Sequence, residues 1–294
     1  DAGGSLYAGG SFINAGGTTA KYIARWNGSS WSDVGGGMSA AVNALALDSS
    51  GNLYAGGAFI TAGGVPANRV AKWNGSSWSS LGSGTNNGTG SNVNALVVDG
   101  SGKLYAGGLF LAAGGLTARY VAMWDGSSWS TLGSGTNNGT SNSVNAFALG
   151  GSGKLYVAGQ FDTAGAATVS RIAIWNGSSW SALGLGMQNS VLSFAFDGGG
   201  NLYASGGFAH AGGVPVKGIT EWNGSGWSPL GSGYEVNGSN ALAFDGNGNL
   251  YTGGSFTKAG GLTANFIAKW NGTAWSPLGT GMNSFVYALA VDSA

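Results

Sequence analysis

Trp73-Asn74-Gly75-Ser76-Ser77-Trp78 decides the fold, because the chain writes this hexapeptide or a close variant six times. The other copies begin at Trp26, Trp124, Trp175, Trp222 and Trp270 and end at Trp31, Trp129, Trp180, Trp227 and Trp275. Together they use all 12 tryptophans of the sequence. A Leu-Tyr pair at 6, 53, 104, 155, 202 and 250 lies 20 residues before the first Trp of each copy. The run from the second Trp to the next Leu varies from 22 to 26 residues. A constant half therefore alternates with an elastic half, at a period of 47–51 residues.

Within one repeat, four short strand signals follow one another. Val42–Leu47 is a mostly apolar run, as expected of a strand covered on both faces. Asp48-Ser49-Ser50-Gly51-Asn52 has the composition of a tight turn. Leu53–Phe59 is a second strand whose glycines mark close backbone approach. Residues 60–68, with Gly63-Gly64, are expected to form a loop before a third strand, Arg69–Trp73. Asn74–Ser77 then closes a hairpin onto a fourth strand from Trp78 to Gly82, which puts Trp73 opposite Trp78.

No stretch sustains a 3.6-residue period. The expectation is an all-β chain: one domain over 1–294, a six-bladed β-propeller with four antiparallel strands per blade. Asp1–Tyr7 matches the turn and second strand of a unit without its first strand. Val286–Asp292 matches that missing strand, so the C-terminal segment is expected to join the N-terminal three strands and close the ring.

Composition narrows function by exclusion. Gly makes up 60 of 294 residues, yet 43% of the chain is hydrophobic, so the glycines serve turns and close contacts within a packed core. Only 7% of residues are charged, with 11 Lys and Arg against 11 Asp and Glu. Nucleic-acid binding needs a basic face that this balance does not supply. No apolar run reaches the roughly 18 residues of a spanning helix, so no membrane insertion is expected. The absence of Cys excludes disulfides and thiol chemistry. The chain opens at Asp1 without a signal-peptide pattern, as expected of a processed or excised domain.

The glycine doublets Gly56-Gly57, Gly107-Gly108 and Gly253-Gly254, the aromatic in strand three and the Trp opening strand four resemble the kelch repeat. The fuller pattern, GGxFxxAGG…IAxWNG…WSxLGxGM…VxAL, is most similar to the kelch-related propellers of the fungal cortical cell-polarity marker family and to repeats of bacterial surface proteins. Asp-Ser-Ser-Gly-Asn-Leu-Tyr also resembles the turn of NHL-type repeats. Ala158 and Ser205 depart from the first doublet glycine, and Gly150 from the turn Asp. The resemblance implies a propeller fold and extracellular or cell-surface binding, and it implies no reaction.

The remaining constellations are read against ordinary structural roles. The Trp pairs occupy fixed columns beside a turn, which points to packing, with sugar stacking as the alternative. The turn Asp residues offer one carboxylate each, whereas calcium asks for six to eight oxygens. Asn-Gly-Ser/Thr triplets at Asn27, Asn74, Asn87, Asn138, Asn176, Asn223, Asn237 and Asn271 fit N-glycosylation, although Asn-Gly is also a hairpin signal. His210, the only histidine, sits in a tolerant column, and no nucleophile elbow, phosphate loop or zinc motif is present. No catalytic residue, metal or cofactor is expected.

Variation concentrates in the loops between strands two and three and between blades. That face is the expected binding surface, with Asp162, His210, Tyr234, Glu235 and Lys258 as candidate ligand contacts. The expected function is a monomeric, non-catalytic scaffold for an unknown protein or glycan partner. A multivalent lectin with sites between blades is the alternative.

Overall fold

The computed structural model describes residues 1, 3–234 and 238–291. The fold is an all-β six-bladed propeller, with no α-helix among the described residues. The chain separates into two compact units, residues 1–144 and 145–294.

Blade two shows how the sequence builds a sheet. Val42–Leu47 is the inner strand, Leu53–Gly57 the second, Val70–Trp73 the third and Trp78–Ser80 the outer one, all antiparallel neighbours. Register aligns Leu47 with Leu53, Leu53 with Trp73, and Trp73 with Trp78. One end of the sheet therefore carries both tight turns, and the loops leave from the other end.

The turns are held by side-chain caps. Asp48 Oδ1 accepts the N–H groups of Ser50 at 3.0 Å and Asn52 at 2.9 Å, and Asn74 Oδ1 accepts those of Ser76 and Ser77 at 2.9 Å. Gly75, at φ +97°, supplies the left-handed backbone that the hairpin needs. In all six blades the paired Trp rings sit 5.2–5.6 Å apart in a tilted arrangement.

Neighbouring sheets are joined at both radii. Four inner strands are bulged at the second residue, between Val42 and Ala44 for example. The bulge re-aims Asn43, whose Nδ2 donates to the Val93 carbonyl of the next inner strand at 3.0 Å. At the rim, Trp78 Nε1 donates to the Val34 carbonyl and Trp129 Nε1 to the Leu81 carbonyl, both at 2.8 Å.

The loop expected over 60–68 is more ordered than composition suggested. Thr61–Ala62 pairs with Val65–Pro66 in a miniature hairpin. Gly63 at φ +55° and Gly64 at +81° make its two-residue turn. Each of the six blades carries the same small hairpin. The longer inter-blade loops hold one-turn 3-10 helices, Gly84–Asn86 and Gly135–Asn137.

The first sheet has three strands, Leu6–Gly9, Ile23–Trp26 and Trp31–Asp33. Leu6 is 47% exposed, against at most 1% for Leu53, Leu104, Leu155, Leu202 and Leu250 in the same column. Residues 285–291 carry no strand assignment.

Candidate interaction face

In the unit of residues 1–144 the loop end of each blade is built the same way. The second strand delivers a buried Phe (Phe59, Phe110) or the equivalent Phe12, and the next residue turns outward. Those outward residues are Ile13, Ile60 and Leu111, exposed by 55%, 55% and 56%. Their carbonyls accept the N–H groups of Ala20, Ala67 and Ala118, which fixes the loop tips to the blades. Leu109, Leu116 and Val65 add exposed apolar surface around them.

Beside these tips, the residue just before the third strand is held at positive φ: Tyr22 at 66°, Arg69 at 67° and Tyr120 at 64°. Each donates its N–H to the carbonyl of the Phe before the tip, at 2.8 Å. Bulky residues reach this left-handed region only at a cost of about 1–2 kcal/mol. Arg69 Nη1 lies 3.5 Å from the Phe59 carbonyl, and its Nε is buried without a partner. Lys21 and Arg119 precede the tyrosines and are exposed. Each of these three loops thus carries one aliphatic tip and, at its far end, one cation.

The residues expected as ligand contacts all fall in the unit of residues 145–294. Asp162 is exposed and ion-paired with Arg171. His210 is exposed in a small hairpin, opposite Pro215, with Nδ1 3.1 Å from Gln188 Oε1. Lys258 is half-buried opposite Thr263. Tyr234 is 2% exposed, stacked on Phe256 at 4.6 Å. Its hydroxyl donates to Thr252 Oγ1 at 2.7 Å, which in turn donates to Ser239 Oγ, and burial drives the phenol well above its ordinary range. Tyr234 thus serves the core, in the column where other blades place Met38 and Met187. Glu235 lies outside the described residues.

Trp78, Trp124, Trp129, Trp175, Trp227, Trp270 and Trp275 are buried, and Trp26, Trp31, Trp73, Trp180 and Trp222 are half-buried. A cleft of about 360 Å³ opens at the rim between blades two and three, lined by Ser83, Asn86, Leu116, Trp124, Ser127 and Ser128. Among the described residues no group of three or more His, Cys, Asp or Glu could hold a metal ion.

The tips Ile13, Ile60 and Leu111 were not among the residues expected from sequence. Their signal is present in the repeat alignment. The column following the Phe reads Ile, Ile, Leu, Asp, Ala, Thr, so its first three members are apolar where nothing in the core asks for it.

No family model matches the chain, and no curated protein sequence does. Solved structures do resemble it. The WD40 repeats of RRP9 superpose with a TM-score of 0.58 at 13% identity, over 90% of this chain and 76% of that one. U3-55K gives 0.53 at 14%, over 84% and 70%. PorZ, an essential bacterial surface component of the type-IX secretion system of Porphyromonas gingivalis, gives 0.53 at 14% over 85% of this chain. The present chain spans 36% of PorZ's length. At these identities the likeness establishes the propeller class.

Proposed function

We propose that the chain is a non-catalytic, monomeric interaction scaffold, residues 1–294 acting as one domain, whose loop face receives a protein partner. The observation that carries this reading is the set of exposed aliphatic tips Ile13, Ile60 and Leu111 on rigidly hydrogen-bonded loops. Exposed apolar groups gathered on one surface are typical of binding sites. In the unit of residues 145–294, Asp162, His210 and Lys258 are the candidate contacts. Repeat columns shared with kelch-like propellers of fungal polarity markers and bacterial surface proteins favour a secreted or cell-surface setting, and PorZ is itself a surface component.

Affinity capture followed by binding of the recovered protein in purified form tests the proposal. Ile60→Asp on the loop face should weaken binding, and Ser76→Asp on the turn face should not. Equal loss with both variants, or with neither, would count against it.

The rim cleft favours a second reading, carbohydrate binding, because Ser83 and Asn86 offer hydroxyl and amide groups next to the Trp124 ring. A glycan array decides between the two. Saturable sugar binding that is weakened by Asn86→Ala would support a lectin.

A further inference from the structure

We propose that the loop face of residues 1–144 takes an acidic polypeptide segment carrying aliphatic side chains. This rests on the protein-binding reading above and adds the partner's chemistry and the half of the chain that meets it.

Three observations converge. The aliphatic tips are not required by the fold. In the other unit the same column holds Asp162, Ala209 and Thr257, and their carbonyls accept Val169, Val216 and Ala264 N–H groups as those of Ile13, Ile60 and Leu111 do. Three blades therefore present Ile, Ile and Leu to solvent where a small or polar residue makes the same loop.

The charge beside the tips has one sign. Lys21, Arg69 and Arg119 make no ion pair among the described residues. Residues 10–22, 57–70 and 108–121 contain no Asp or Glu, and neither do the inter-blade loops 34–41, 81–92 and 132–143. Asp33, at the end of an outer strand, adjoins loop 34–41, and its carboxylate is engaged by the Gly36 N–H at 2.5 Å. Asp125, six residues after Arg119, lies in the tight turn at the opposite end of its sheet, where it accepts the N–H groups of Ser127 and Ser128. A surface that pairs apolar tips with unopposed cations complements a segment whose carboxylates flank aliphatic residues.

The third observation concerns the residue just before the third strand. Tyr22, Arg69 and Tyr120 occupy left-handed backbone there, as do Arg171 and Phe266 in the other unit, and Gly218 shows that glycine fits the same column of blade five. Arg171 is paired with Asp162, whereas Arg69 has no carboxylate partner among the described residues and its buried Nε has no hydrogen-bond partner. A guanidinium gives bidentate hydrogen bonds to a carboxylate, which an ammonium cannot match.

The test is selection of random dodecapeptides displayed on phage against the immobilised full chain. Enriched sequences should be acidic and rich in Leu, Ile or Val. A synthetic copy of the leading peptide should bind about tenfold more weakly to Ile60→Asp and to Arg69→Glu, and its affinity should fall with added salt. Ile60→Thr and Leu111→Ala, which install residues found in this column at 257 and 209, are expected to keep the unfolding midpoint while lowering affinity. They guard against a binding loss caused by misfolding. Peptides without acidic bias, or binding that survives both substitutions, would overturn this inference alone. No enrichment over a blank support would overturn it together with the protein-binding reading.

Discussion

Trp78 of the second blade donates its indole N–H to the carbonyl of Val34, 44 residues earlier in the first blade, across 2.8 Å in a buried setting. The same bond recurs from Trp275 to Leu230 at 2.9 Å. Trp227 breaks the pattern, since its Nε1 is buried without an acceptor. Trp78→Phe would remove one of the two hydrogen bonds that the Val34 carbonyl accepts, the other coming from the Gly37 N–H at 3.2 Å, at about 0.5–1.5 kcal/mol beyond the loss of ring area. Trp227→Phe removes the area but no hydrogen bond. Urea unfolding of the two variants should therefore show the larger drop at Trp78, and equal drops would mean that the indole bond contributes nothing.

The glycine doublet separates into two kinds of requirement. An added Cβ at Gly57 would stand 2.1 Å from the Ala41 carbonyl oxygen, and the equivalent atom at Gly108 2.1 Å from the Asn92 oxygen. At Gly56 the obstacle is a side chain, Val93 Cγ1 at 2.5 Å. Side chains can repack, and Ala158 and Ser205 occupy that first position in blades four and five. Gly56→Ala should cost about 1–3 kcal/mol as ordinary overpacking, and Gly57→Ala more, because backbone must move. Thermal midpoints of the two variants check the order.

Acid should weaken the turns. Burial of Asp48 and Asp99 opposes their ionisation. Hydrogen bonds from Asn52 and Ser50 to the first, and from Ser101 and Lys103 to the second, outweigh it and set both carboxyls below the ordinary 3.8. A lowered folded value gives stability that is present above the unfolded pKa and lost as pH falls through the folded one. The decline therefore begins near pH 4 and continues below it. Asp48→Asn with Asp99→Asn should flatten unfolding midpoints measured across that range. At the alkaline end Tyr105, pushed up to about 12 by burial and by the Asp99 charge, favours its neutral form. Its contribution is lost as pH rises from about 10 through 12.

The Asn-Gly-Ser/Thr triplets divide by burial. At Asn27, Asn74, Asn176, Asn223 and Asn271 the side chain is exposed and the turn uses only Oδ1, leaving the amide nitrogen to carry a sugar. Asn87 and Asn138 are each 7% exposed, and their amide nitrogens donate to Pro66 and Thr117 carbonyls. Asn237 lies outside the described residues. Material secreted from a eukaryotic host should show glycopeptides at the first five positions and bare Asn87 and Asn138.

The strand content and the facing Trp pairs were legible because a six-fold repeat turns every local signal into a column. Trp73 and Trp78 must face each other once Gly75 and Ser76 make the turn, and they do. The small hairpin at 61–66 escapes a reading of the sequence because two residues per strand are too few for alternation to register. Its Gly63-Gly64 doublet was the available signal. Tyr234 was misleading for another reason. An aromatic in a variable loop suggests a contact surface, and the stacking partner Phe256 lies in the next blade, 22 residues away, where only packing reveals it. Ile13, Ile60 and Leu111 were obscured by their apolar character, which reads as core until exposure is seen.

Residues after Ser284 bear on how the sheets are completed. Val286 N donates to the Gly254 carbonyl at 3.2 Å, and Asn240 Nδ2 donates to the Val286 carbonyl at 3.4 Å. A Cβ at Gly253 would meet Val286 Cγ1 at 2.3 Å and Leu289 Cδ1 at 3.4 Å. Val93 and Leu96 stand over Gly56 in the same way. Val286 and Leu289 thus take, against blade six, the place that Val93 and Leu96 take against blade two. Val286 is half-buried, and Val286→Ala should lower stability by about 1 kcal/mol, less than the loss of two fully buried methyl groups. Tyr287→Ser, at a position 73% exposed, should be near neutral. Urea midpoints in which the two substitutions cost the same would show that this segment does not dock as an inner strand.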